Sequence, residues 1–144
     1  MVKIAHDLWL NHQQKIRFVL VGGWNTIFGY LVFVACDYLF ERLFSPRYVA
    51  YMSAAVLSNI LAIINAYIFH KHITFQSTVR GKGILIEFAR FFSTYLFSII
   101  LGLILLPVSV EILGIEPRIS AALLIPVTTI ISYLGHSRFS FRSP

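Results

Sequence analysis

Four apolar stretches, about residues 18–40, 49–69, 91–110 and 119–135, constrain this chain more than any other feature. A helix needs about 20 apolar residues to cross a hydrocarbon core of about 30 Å. All four come near that length, the last being the shortest, and Asp37 is the only charged residue inside them. Backbone groups in lipid must be satisfied internally, so such stretches fold as helices. The rest of the composition agrees: hydrophobic residues make up 58% of the chain and charged residues 12%. So few charges cannot coat a soluble domain of 144 residues. A soluble globular enzyme, a disordered chain and a nucleic-acid module are excluded. The single cysteine, Cys36, excludes an internal disulfide framework. A cleavable signal peptide is not expected, because the first span is too long.

The net charge of +6 then reports membrane topology and attraction to anionic lipid rather than nucleic acid. Lys3, Lys15 and Arg17 precede the first span. Lys71, Arg80, Lys82 and Arg90 lie between the second and third, and Arg138 and Arg142 follow the fourth. Only Arg42, Arg47 and Arg118 fall on the other side. The positive-inside rule therefore predicts both termini and the long middle loop in the cytoplasm. The two outer loops are short and make neighbouring helices antiparallel. The expected fold is an all-α membrane protein: four transmembrane helices in one domain, residues 1–144, built as two hairpins.

The hairpins resemble each other. Asn65–Phe75 aligns with Ile131–Phe141, with Tyr67/Tyr133, His70/His136 and Phe75/Phe141 identical. Arg17-Phe18 and Arg90-Phe91 open the two hairpins alike. Two-span units repeat in parallel, about an axis along the membrane normal.

Polar residues in a span must face protein or water. At 100° per residue they form one stripe on each helix. Asn25 and Thr26 lie beside Gly22 and Gly29 in span 1, and Lys15 joins that face if the helix extends back to it. Ala50, Ala54, Ser58, Ala62 and Ala66 recur every four residues in span 2, with Asn59 and Asn65 among its polar residues. Thr94 and Ser98 follow Arg90 in span 3, and Thr128, Ser132 and His136 recur in span 4. Small residues also let helices approach, so packing alone is a second reading of these stripes. The Ala/Ser stripe of span 2 further suggests a homo-oligomer, a dimer. Pro107 and Pro126 should kink spans 3 and 4.

A basic cluster lies at the cytoplasmic ends: Lys15, Arg17, Lys71, His72, Arg90 and Arg138. One reading is topology signal plus headgroup attraction. The other is a phosphate site. Arg90 is its best candidate, because it opens an apolar helix on the polar stripe and its fork can hold phosphate bidentately. No metal site is expected, since His70 and His72 point apart on a helix and no cysteine is near. No catalytic constellation and no cofactor motif is present.

The chain resembles the GtrA-like family of small four-helix membrane proteins. Three passages carry the resemblance: Arg17-Phe-Val-Leu-Val-Gly-Gly-Trp-Asn-Thr26, Asn59 through Phe75, and Ser132-Tyr-Leu-Gly-His-Ser-Arg-Phe-Ser-Phe141. Where the family often has Asn-Arg before an aromatic-Thr-Phe, this chain has His70-Lys71-His72 and then Ile73. The resemblance implies a bacterial inner-membrane protein that translocates a polyprenyl-phosphate-linked sugar beside a membrane glycosyltransferase, for cell-surface polysaccharide synthesis or glycosylation. Two alternatives stay open: a non-transporting accessory that binds polyprenyl phosphate or recruits the glycosyltransferase, and a small four-helix antiporter, for which Asp37, an interfacial acid about 12 Å from the middle of span 1, is poorly placed.

Overall fold

The structure is a computed structural model that describes residues 2–139, and the backbone alone of Asn11 and of residues 131–139. It is a four-helix membrane protein with no strand among the described residues. The helices are α1 (Val2–Leu43), α2 (Arg47–Phe69), α3 (Gly83–Pro107) and α4 (Pro117–Phe139). α2 and α3 each run on into a π-helical turn, His70–Thr74 and Val108–Ile112. Residues 44–46 and 113–116 connect the helices at one end, called here the Asp37 end. Residues 75–82 make the connection at the other, the His70 end.

α1, α2 with its turn, and α3 with its turn are long and apolar enough to cross a membrane. The apolar run of α4 among the described residues, Pro117–Ile130, is shorter. α1 departs from expectation by continuing back to Val2. Its 42 residues at 1.5 Å each span about 63 Å, twice the hydrocarbon thickness. Residues 2–17 contain no glycine or proline, so nothing in them stops the helix. Lys15 therefore stands on the same helix as Asn25.

The tightest packing joins α1 and α2. Ala50, Ala54 and Ala66 are fully buried, and Ser58 nearly so. A Cβ on Gly29 would come within 3.2 Å of the Ala62 Cβ, so these helices approach as small residues allow. The span 2 stripe is thus covered within the chain, and it offers no face to a second copy. Phe33, Tyr51, Ala54, Ala55 and Leu106 form a core cluster toward the Asp37 end.

The prolines act differently from one another. Pro117 is the first residue of α4, where a missing N–H costs nothing. Glu116 caps that end by accepting from the Arg118 and Ile119 backbone N–H groups at 3.0 and 3.2 Å. Pro107 is the last residue of α3, and the chain passes there into the π-helical turn. Pro126 lies inside α4. Of the repeat, the side chains of Tyr133 and His136, and the whole of Phe141, lie outside the described residues.

Candidate functional site

A cavity of about 270 Å³ opens between all four helices. α1 contributes Asn25, Thr26 and Tyr30, α2 Ser58 and Asn59, α3 Tyr95 and Ser98, and α4 Thr128 and Thr129. Gly29, Ala62 and Gly102 leave room for it, and Phe33 and Leu106 mark its boundary with the core. Thr26 and Thr129 are exposed, so the cavity reaches the outside of the bundle beside them. Among the described residues no charged side chain lines it.

The helical phase of the polar residues explains the lining. Asn25, Thr26, Gly29 and Tyr30 span little more than one turn of α1 and share a face. Asn65 does not line the cavity, but its Nδ2 donates to Asn25 Oδ1 at 3.0 Å and satisfies an intramembrane amide. Thr94 does not line it either: it is exposed and its hydroxyl donates to the Phe91 carbonyl at 2.7 Å. The side chains of Ser132 and His136 lie outside the described residues. Tyr30, Tyr95 and Thr129 were not singled out from sequence. Tyr30 is one turn beyond Thr26 on the same face, a spacing that could have revealed it.

The Asp37 end is closed by ion pairs. Asp37 is fully buried, and Arg47 donates to both its carboxylate oxygens at 2.6 and 2.7 Å. Arg118 Nε lies 3.0 Å from the second oxygen, and its Nη2 lies 2.7 Å from Glu41. The Arg118 guanidinium also covers the Tyr38 ring at 3.4 Å. Tyr30, a cavity residue, donates to the Arg118 carbonyl at 3.0 Å. Beside this network Tyr51 donates to Glu111 at 2.7 Å, and Ser109 bonds Ser120. The network ties α1, α2 and α4 together, and it directs the charge of both its arginines inward.

The His70 end is built on aromatic rings. His70 is buried, and its Nδ1 bonds Thr74 Oγ1 at 2.9 Å. Phe18 and Phe91 pack on the imidazole at centroid distances of 4.9 and 5.7 Å. Arg17 and Arg90, each the residue before one of these phenylalanines, thus converge on one level of the bundle.

The six predicted phosphate ligands divide into three groups. Lys71 is nearly buried and bonds Glu87 at 2.7 Å, so its charge is met within the protein. Glu87 also accepts from Ser77 at 2.5 Å and Tyr67 at 2.8 Å. Lys15, Arg17, His72 and Arg90 have no ion pair among the described residues. Arg90 and His72 are exposed, and Arg17 is half-buried. Lys15 stands at a second, apolar cavity of about 400 Å³ walled by Phe18, Val19, Thr74 and Phe75. The side chain of Arg138 lies outside the described residues.

Among the described residues no group of His, Cys, Asp and Glu could hold a metal ion. The GtrA/DPMS transmembrane-domain family matches the chain over residues 17–141. It covers every described residue that lines the mid-bundle cavity, and most of the chain. No curated protein and no solved structure matches the chain.

Proposed function

The chain belongs to the GtrA/DPMS transmembrane-domain family, a generally non-catalytic membrane domain of glycosyl-lipid processes, and from that premise we propose that it flips a polyprenyl-phosphate-linked sugar across a bacterial inner membrane. One observation carries the reading. A mid-bundle cavity lined, among the described residues, by amides and hydroxyls and by no charge lies between an end where Arg47 and Arg118 are internally paired and an end where Lys15, Arg17 and Arg90 have no ion pair among the described residues. A glycosyl phospholipid has matching parts. Its phosphate needs cations, its sugar needs hydrogen bonds in place of water, and its tail needs lipid.

Arg90, Arg17 and Lys15 hold the phosphate at the His70 end in this reading, with His72 and Arg138 beside them. Arg90 acts bidentately, which lysine cannot match. Lys71, paired with Glu87, braces the long connection and lends only its residual field. The sugar enters among Asn25, Thr26, Asn59, Ser98 and Thr128, near the exposed hydroxyls where the cavity opens. The His70 end and both termini face the cytoplasm, the side of the nine Lys and Arg. The product side supplies a membrane glycosyltransferase.

The antiporter reading loses its acid: Asp37 is buried and held by two guanidinium groups, so it is not placed to exchange a proton against cargo. The accessory reading is separated by experiment. Purified protein goes into proteoliposomes with labelled polyprenyl-phosphoryl hexose on one leaflet. Protein-dependent movement of label to the other leaflet is expected. Binding of the lipid without movement would make the protein an accessory instead.

A further inference from the structure

The two guanidinium groups on Asp37 are held differently. Arg47 makes an aligned, bidentate pair with the carboxylate at 2.6 and 2.7 Å. Arg118 places Nε 3.0 Å from Asp37 and Nη2 2.7 Å from Glu41, but both nitrogens are buried and neither has an aligned hydrogen bond. Hydrogen bonds weaken steeply with misalignment, so the Arg118 side chain holds by its charge and by its stacking on Tyr38. The helices that they join differ as well. α2 is packed on α1 along its small-residue stripe. Among the described residues the polar contacts between α1 and α4 are all made by Arg118. Its side chain meets Asp37, Tyr38 and Glu41, and its carbonyl accepts from Tyr30, which lines the cavity. Beside them Ala121 and Leu124 pack on the core cluster.

We propose, building on the glycosyl-lipid reading, that Arg118 is a releasable latch between α1 and α4, and that parting it opens the cavity toward the Asp37 end. Parting a buried ion pair is costly when it strands a charge. Here neither side is stranded. Asp37 keeps its bidentate pair with Arg47. Arg118 keeps Glu116, whose Oε1 lies 3.7 Å from its Nη1. Glu116 caps α4 and so moves with it. A second guanidinium on one buried carboxylate thus lets α4 leave α1 while α2 stays. The same movement frees the Tyr30 hydroxyl from the Arg118 carbonyl. A lipid head group in the cavity competes for that hydroxyl, which couples loading to opening.

The test reads the separation of helix ends with pairs of spin labels on the intact protein in lipid bilayers. Leu39 on α1, Tyr48 on α2 and Ile119 on α4 are all exposed near the Asp37 end. In a Cys36→Ser background, labels on Leu39→Cys and Ile119→Cys report the α1–α4 seam, and labels on Leu39→Cys and Tyr48→Cys report the α1–α2 seam. With Arg118 intact, at most about 10% of the α1–α4 pairs should show a longer separation. Arg118→Gln should make that longer separation the major form and leave the α1–α2 distance single. Arg118→Lys keeps the charge and should stay mainly closed. Tyr30→Phe, which removes one hydroxyl, should raise the longer fraction severalfold. Polyprenyl-phosphoryl hexose should do the same with Arg118 and Tyr30 both intact. An unchanged α1–α4 distance in both Arg118→Gln and Tyr30→Phe would overturn the latch. Equal broadening of both seams would overturn it too, since Arg118 would then be a general brace. Transfer of labelled lipid between leaflets would still uphold the glycosyl-lipid reading in either case. An opening seam without any such transfer would bring down that reading and leave the latch standing.

Discussion

At the Asp37 end, Arg47 and Arg118 converge on one buried carboxylate, and Glu41 and Glu116 stand around them. At the His70 end, Lys71 alone has its acid, and Arg90 and His72 face outward with no ion pair among the described residues. The same residue types therefore do different work at the two ends. A guanidinium already holding carboxylates is structural: it fixes where α1, α2 and α4 meet, and removing its partner leaves a charge stranded. A guanidinium without a partner adds little to stability and keeps its hydrogen bonds for something else. The contrast also refines the topology argument. Of the three cations at the Asp37 end, Arg42 alone lies outside the ion-pair network among the described residues.

The largest effect should come from breaking the paired end. Asp37→Ala leaves two arginines without their shared carboxylate, and should cost on the order of 3 kcal/mol. Thermal unfolding in detergent would read this as a large drop in Tm. A variant as stable as the wild type would show that the network is not structural. Next in size is the loss of activity, without loss of fold, at the other end. Arg90→Ala should abolish glycolipid movement while Tm stays near wild type, since an unpaired exposed side chain contributes within about 0.5 kcal/mol. Arg90→Lys should keep part of the activity. A third substitution sharpens the comparison inside the His70 end. Lys71→Met removes a cation that has a partner, so it should cost about 1 kcal/mol of stability and reduce transport less than Arg90→Ala. Smallest of all, Arg80→Ala and Lys82→Ala on the exposed connection should change neither Tm nor transport measurably.

Much of the arrangement was legible in the sequence because helical period and membrane depth leave few choices. Asn25, Thr26, Asn59, Ser98 and Thr128 sit on stripes that a 3.6-residue repeat makes visible, and they meet in one cavity. Thr94 shares the stripe of Ser98 and yet misses the cavity, because a stripe fixes direction and not depth. What the sequence hides is pairing at a distance. Asp37 reads as an interfacial acid until Arg118, far along the chain, is seen against it. Lys71 reads as a free cation until the middle connection folds and brings Glu87 to it. Tyr95 carries no local mark of its place in the cavity, whereas Tyr30 shares the face of Thr26 one turn on. That Pro107 stands at the last turn of α3, where a π-helical turn takes over, depends on where that helix stops.

The comparison between the ends comes down to whether Arg90 loads a lipid phosphate for passage past the uncharged cavity. Proteoliposomes holding matched amounts of wild-type or Arg90→Ala protein, with labelled polyprenyl-phosphoryl hexose on one leaflet, test this most directly. The account predicts protein-dependent transfer of label by the wild type, and transfer at the protein-free rate for Arg90→Ala at an unchanged Tm. Equal transfer by the two proteins would contradict it, and would reduce the unpaired cations to a signal for topology.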